Sequence, residues 1–426
     1  MVTYDKGLTS LPEDIISEVF DLLDVEALKS CSLTGKALFY LAKPFIHRTL
    51  HLTPWSGYPS KSSASGRRNE LEGLLILGGR GLLQHTRYIM VDSGSLLVAR
   101  DLDPHVQHLH TITNLKSLKV HSLDTPSFNP KMEEYFGAFL GTLQSLDLVF
   151  PTGDKEQILY FICQFRNLRD LKIDSIPYRN GSICNGSPRF NIKTSPPLDG
   201  TLDLRFYVRN LESDSSHAQL ILDNLVALPS GLKFRTLKLR WCTTHNLQPL
   251  IDACASTLEC IEFTGKQFGA SSPHGECPLF IPVRAISLSG APQDPQISFK
   301  RHSALRELEI RLTEHAHLRG VSRWISETLS TVTSRGFAKL TISVPFASFT
   351  SPKTTRVQLL AWNTIDNVLN QLDLCEDVTL AVRSPDWVTK RQLKETVEDC
   401  FPFMCGNGKV LPSYEKDTIP RPRDRV

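Results

Sequence analysis

Histidines come nearest to chemistry in this sequence. His105, His108 and His110 cluster, and His315 and His317 form a His-x-His pair. Imidazoles so spaced could ligate a metal or carry a proton. No cysteine or carboxylate stands beside either group at a convincing ligand spacing, so solvated or hydrogen-bonded histidines are expected. A Gly-x-Ser-x-Gly elbow, a His-Glu-x-x-His helix and a phosphate loop ending in Gly-Lys-Ser/Thr are all missing. Gly78-Gly79-Arg80-Gly81 lacks the lysine and the preceding strand of a phosphate cradle, and reads as a turn. Carboxylates are spread thinly, and no acid–base pair can be argued from their spacing. The expectation is a chain without catalytic residues, cofactor or metal, and not an enzyme.

Composition narrows the class. The chain has 426 residues, 41% hydrophobic and 22% charged, which fits a soluble globular protein of more than one domain. A net charge of +3 gives no argument for nucleic acid or an anionic membrane as partner. Asp5, Lys6, Pro12, Glu13 and Asp14 leave no room near the start for an apolar signal core, and no run is long enough to span a bilayer. The ten cysteines, at 31, 163, 184, 242, 254, 260, 277, 375, 400 and 405, form no Cys-x-x-Cys pair. They read as small apolar residues of a reducing compartment, cytoplasm or nucleus. Asn180-Gly181-Ser182 and Asn185-Gly186-Ser187 match the glycosylation triplet but read as a Gly/Ser loop.

The first fifty residues carry the sharpest pattern. Ser10 and Glu13 have capping-box spacing, and Pro12 falls in the first turn, where its missing N–H costs nothing. Ile15, Ile16, Val19, Phe20, Leu22 and Leu23 then recur with helical period and form a wide apolar face. Asp24 is a good N-cap for a second helix bearing Leu28, Cys31 and Leu33. Gly35 interrupts, and Leu38, Phe39, Leu41 and Ala42 begin a third helix that Pro44 ends or kinks. A unit of about 40 residues cannot bury so much surface within itself. The leftover face must meet the rest of the chain or a partner.

Those residues resemble the F-box, the module that docks on a Skp-type adaptor of a cullin ubiquitin ligase. The run Cys31-Ser32-Leu33-Thr34-Gly35-Lys36-Ala37-Leu38, followed by Pro44 through Leu52, is similar to the fungal form, in which the box runs straight into a first strand. The resemblance covers residues 8–52. It implies that Leu11, Pro12, Ile15, Ile16, Val19, Leu23, Leu28 and Leu33 dock on the adaptor.

From about residue 70 a hexamer recurs: apolar, two variable, Leu, variable, apolar. Copies begin at Leu115, Leu143, Leu168, Phe234, Leu258, Val283, Leu305 and Phe337, with weaker copies over 85–90, 202–206 and 375–380. The alternation predicts a short strand with one buried face. Helical stretches are expected over 133–140, 155–165, 218–227, 247–255, 321–333 and 357–372. The strand-plus-helix period resembles irregular leucine-rich repeats, which stack as a solenoid with parallel strands inside and helices outside. A doubly wound α/β sheet is the rival. Variable hexamer positions carry Lys, Ser, Arg, Glu and Thr, suiting an exposed face. Residues 174–200 and 264–278 read as Gly/Pro/Ser-rich loops.

The expected organisation is thus α/β: a three-helix F-box-like module over 8–52, a linker over 53–69, a leucine-rich-repeat-like solenoid over 70–405 and a disordered tail over 406–426. The resemblance implies a non-catalytic receptor. Its box would bind the Skp-type adaptor and through it a cullin, and its solenoid an unknown client protein for ubiquitin-dependent degradation. An interaction scaffold with no role in ubiquitination is the alternative.

Overall fold

The computed structural model describes residues 11–52, 77–79, 81–91, 109–121, 137, 139–149, 155–174, 196–205, 219, 221–240, 246–265, 297–312, 318–345, 356–371, 377–384, 389–402, 405 and 410–416. The chain forms two compact units, Met1–Asp174 with Arg179–Pro197, and Ser175–Tyr178 with Leu198–Val426. The expected 53–69 linker lies outside the described residues. The N-terminal helices share a unit with the strands that follow them.

The first unit opens with three helices, α1 (Glu13–Leu22), α2 (Val25–Thr34) and α3 (Lys36–Ile46). Five strands follow: β1 (Thr49–Leu52), β2 (Tyr88–Val91), β3 (Ser117–His121), β4 (Ser145–Val149) and β5 (Asp170–Asp174). Each pairs in parallel with the next. Helix α4 (Lys155–Gln164) lies between β4 and β5 in the chain. Register aligns Ile89, Leu118, Leu146 and Leu171 in one row and Val91, Val120, Leu148 and Ile173 in another. All eight are buried, so the hexamer's apolar positions stack strand upon strand.

The second unit repeats the scheme with β6 (Thr201–Arg205), β7 (Thr236–Arg240), β8 (Cys260–Gly265), β9 (Glu307–Leu312), β10 (Lys339–Pro345), β11 (Asp377–Ser384) and β12 (Val410–Lys416). These also pair in parallel in chain order. Helices α5 (Gln248–Ala253), α6 (Leu318–Leu329), α7 (Arg356–Gln371) and α8 (Lys390–Cys400) fall between strands. A further helical run covers 221–226. Phe263 of β8 meets Trp324 of α6 edge-on at 5.5 Å, which puts that helix against the buried face of the sheet.

Strand order decides between the two expected architectures. A doubly wound sheet reverses its order at a switch point. Within each unit here the order follows the chain without reversal, so the arrangement is a solenoid-like α/β stack. A recurring backbone device keeps it in step. One carbonyl just before each strand accepts two N–H groups from the next repeat: Arg48 from Arg87 and Tyr88, Lys116 from Gln144 and Ser145, Arg235 from Glu259 and Cys260.

Three expectations need correction. The hexamer beginning at Val283 lies outside the described residues, yet β8 pairs directly with β9, Ile261 opposite Leu308. That copy therefore takes no place between them in the ladder. The tail over 406–426 is not wholly without structure, because Val410–Lys416 forms β12 on β11. Pro412 is tolerable there because β12 ends the described ladder, and an edge strand need not donate on its open side. The stretch 133–140 shows only turn residues at its described positions.

Candidate functional site

Helix α1 begins after Pro12, whose carbonyl accepts from Ile16 N–H at 3.1 Å. Ser10 lies outside the described residues, and Pro12 takes the N-cap position. Leu23 turns extended and stops α1. The Asp24 side chain then accepts from Ala27 N–H at 2.7 Å, supplying the expected N-cap of α2. Gly35 separates α2 from α3 with an extended backbone. Pro44 sits inside α3, which runs through it and ends two residues later at Ile46, so the proline does not end the helix where it stands.

Ile16, Phe20, Leu28 and Ala42 are buried together, and Val19, Leu23, Leu38, Leu41, Phe45 and Ile46 surround them. Phe20 meets Phe45 edge-on at 5.5 Å. The helices are tied to the first strands by polar contacts. Arg48 Nη1 donates to Asp21 Oδ1 at 2.6 Å, and Thr86 Oγ1 donates to the His47 carbonyl at 3.3 Å. Burial, with the neighbouring His85 and Lys43, holds the His47 imidazole below its ordinary pKa. Burial also lowers His85, helped by Lys43 and Arg87.

Helix α1 thus carries two apolar stripes. Ile16, Val19, Phe20 and Leu23 face inward. Ile15 and Leu22, seven residues apart, share an exposed stripe about 100° round the helix, and Leu11 is exposed just before the helix begins. The eight expected docking residues divide accordingly. Leu11, Pro12, Ile15 and Leu33 are exposed; Val19 and Leu23 are half-buried; Ile16 and Leu28 are in the core. Ile16 and Leu28 hold the helices together and offer nothing to a partner in this conformation. The structure adds Leu22, Val25, Phe39 and Tyr40 to the exposed set. Leu22 and Leu33 stand out at 87% exposure each. Leu22 and Phe39 were visible in the sequence as apolar helical residues, but which stripe faces out depends on how α3 packs.

The second polar feature runs across the sheets, on the hexamer's variable positions. In the first unit Asp147 accepts from Lys172 at 2.9 Å and lies 4.0 Å from Lys119, its cross-strand neighbours on either side. In the second unit six side chains make one continuous chain of ion pairs over β6 to β9. Arg205 meets Asp203 at 3.3 Å, Asp203 meets Arg240 at 3.6 Å, and Arg240 meets Glu262 at 3.9 Å. Glu262 meets Arg311 at 3.7 Å, and Arg311 meets Glu309 at 2.6 Å. The expectation of a merely exposed polar face missed this pairing, which appears only once register is known.

His105, His108, His315 and His317 lie outside the described residues. Gly81 has φ +64° and donates to the Gly78 carbonyl at 3.0 Å, the geometry of a turn. Among the described residues no cluster of His, Cys, Asp or Glu is arranged to hold a metal ion. No described helix is long and apolar enough to cross a membrane.

No protein-family model matches the chain, and no curated protein matches it significantly.

Proposed function

We propose that the chain is a non-catalytic receptor whose N-terminal helices dock on a Skp-type adaptor of a cullin ubiquitin ligase, as an F-box does, while leucine-rich-repeat-like strands carry a client protein. One observation supports this reading above the others. Of the eight large hydrophobic residues exposed among the described residues, seven lie between Leu11 and Tyr40. Elsewhere the apolar residues of the described repeats are turned inward almost without exception. Concentrated apolar exposure on one small element marks a protein-binding surface. Withdrawing a leucine of this kind from water contributes about 1.5–3 kcal/mol, so a few of them support a stable contact.

In this reading the protein performs no bond chemistry. It raises the local concentration of client lysines near a conjugating enzyme held elsewhere in the complex. Leu11, Pro12, Ile15, Leu22 and Leu33 form the adaptor surface; Ile16, Phe20 and Leu28 are the core that presents it.

The test is co-purification with a Skp-type adaptor, wild type against Leu22→Arg and Leu33→Arg. Both side chains are exposed, so the variants should fold. Adaptor capture by wild type and its loss in both variants is the expected result. A folded wild type that captures no adaptor would sink the reading.

A further inference from the structure

One backbone column joins the residues that precede the strands of the first unit. The carbonyls of Arg48, Arg87, Lys116 and Gln144 each accept two N–H groups from the next repeat, which carries the column on to Arg169. Equivalent positions in successive repeats therefore hold Arg, Arg, Lys, Gln and Arg, and the last four are exposed. At the usual strand spacing the five positions extend over about 19 Å.

Acids are sparse along this edge. The segments leading into the strands, 47–48, 85–87, 113–116, 141–144 and 165–169, contain no Asp or Glu. They add exposed Arg166 to the column, and Lys43 lies one turn before His47 on α3. The first strand residues, Thr49, Tyr88, Ser117, Ser145 and Asp170, bring one carboxylate. Asp21 of α1 brings another by pairing with Arg48 at 2.6 Å. The next row along the sheet, His51, Met90, Lys119, Asp147 and Lys172, holds two cations against one acid, and Asp174 comes at the far end of β5. Arg87, Lys116 and Arg166 make no ion pair among the described residues. Burial and then basic neighbours lower the two imidazole pKa values here: His85 and Lys43 act on His47, Lys43 and Arg87 on His85. In the second unit the matching residues Arg235, Glu259 and Arg306 alternate in sign. The net charge of +3 hides this difference, and distribution rather than the sum marks a polyanion surface.

Tyr88 stands beside Arg87 at 44% exposure. It is the one large hydrophobic residue exposed outside the N-terminal helices among the described residues. A file of cations fits the phosphates of a strand, and an exposed ring in that file fits a base stacked on its face. An acidic peptide would use the cations and leave the ring without a role. A duplex keeps its bases inside the stack, out of reach of the ring.

We propose that the strand-start edge of the first unit, from Arg87 to Arg169, binds single-stranded nucleic acid, with Arg87, Lys116 and Arg166 on the phosphates and Tyr88 stacked on a base. This activity lies beyond the adaptor reading and does not depend on it.

The experiment uses the full chain and a labelled oligouridine, read by anisotropy over a range of salt. A duplex of equal length and a glutamate-rich peptide serve as comparisons. The oligouridine should bind most tightly of the three and weaken as salt rises. The combined variant Arg87→Gln/Lys116→Gln/Arg166→Gln should weaken binding about tenfold or more and lower the salt slope by about 2, with melting near that of wild type. Tyr88→Ala should weaken binding about fivefold or more while leaving the salt slope unchanged, a split that separates stacking from charge. Arg306→Gln, at the matching position of the second unit, should bind as wild type does. The proposal is overturned if folded wild type does not bind oligouridine, or if the duplex or the peptide binds as tightly. It is equally overturned if the combined variant or Tyr88→Ala binds as wild type does, or if Arg306→Gln weakens binding as much as the combined variant.

Discussion

Gln248 and Ser298 stand fifty residues apart in the chain and pair like strand neighbours: Ser298 N–H donates to Gln248 Oε1 at 2.8 Å, and Gln248 Nε2 donates to the Ser298 carbonyl at 3.0 Å. The same clamp occurs one repeat earlier. Asn246 N–H donates to Gln219 Oε1 at 2.8 Å, and Gln219 Nε2 donates to the Asn246 carbonyl at 3.4 Å, across 27 residues. In both, the glutamine also donates to an aspartate four residues on, Asp252 at 2.7 Å and Asp223 at 2.9 Å. That third bond fixes the amide orientation. The clamp absorbs 23 more residues of chain at its second occurrence (50 − 27) without changing form.

Gln248→Ala should therefore leave a backbone N–H and C=O of Ser298 without partners in a half-buried setting. The expected cost is about 1–3 kcal/mol in urea denaturation. Gln219→Ala, where water reaches the same groups, should cost less. Equal losses at both sites would show that the clamp's burial is irrelevant.

The buried and the exposed leucine of α2 make opposite predictions. Leu28→Ala opens a cavity in a fully buried cluster and should cost about 2–5 kcal/mol. Leu33→Ala should stay within about 0.5 kcal/mol of wild type, because its side chain stands in solvent. Thermal melts of the two variants check this directly. A strongly destabilised Leu33→Ala would mean that Leu33 is covered within the chain, and the docking surface would have to be redrawn.

How much of this was legible beforehand depends on whether the signal was local. The Asp24 cap and the buried central leucines of the hexamers could be read directly, because capping and strand alternation act over a few residues. Thr389 and Gln392 also have capping-box spacing, and α8 starts there with both hydrogen bonds made. What could not be read is anything set by register. The hexamer at Val283 has the same pattern as its neighbours, but pattern names no strand partner, and β8 pairs past it. The ion-pair chain needs Arg205, Arg240 and Arg311 to be aligned across strands separated by dozens of residues. Likewise, the division of the eight docking residues depends on Phe45 and Ala42 of α3 closing over Phe20.

Acid should loosen the join between the helices and the first strands. Both His47 and His85 have pKa values below the ordinary 6.5 in the folded chain. The unfolded chain therefore takes up protons first as pH falls. The stability these residues contribute is complete above about 6.5 and is lost progressively as pH drops through that value toward the lower folded pKa. Melting temperatures between about pH 7.5 and 5.5 should fall, and His47→Gln should flatten the slope. An unchanged slope in that variant would place the titrating group elsewhere.

Cys254 and Cys400 should be unreactive in the native state. Burial pushes the Cys254 thiol up to about 12 against a backbone hydrogen bond that works the other way. Burial, reinforced by Asp399, does the same for Cys400. Thiolate is the reactive form, so iodoacetamide at neutral pH should leave both unmodified until urea unfolds the chain. Rapid alkylation of Cys254 in folded protein, mapped by mass spectrometry, would contradict the packing of α5 on its sheet.

The last strand offers the sharpest test of the C-terminal region. If residues 406–426 were a passive tail, truncation after Lys409 would cost nothing. Instead β12 covers the outer edge of β11 from Val378↔Val410 to Ser384↔Lys416. Removing it strips hydrogen-bond partners from a strand whose described core positions, Val378, Leu380 and Val382, are apolar and buried. An apolar strand edge left open recruits other chains. The truncated protein should melt several degrees lower and self-associate on size-exclusion chromatography at concentrations where the full chain does not. A truncated chain with unchanged melting and elution would show that β11 is closed by something other than β12.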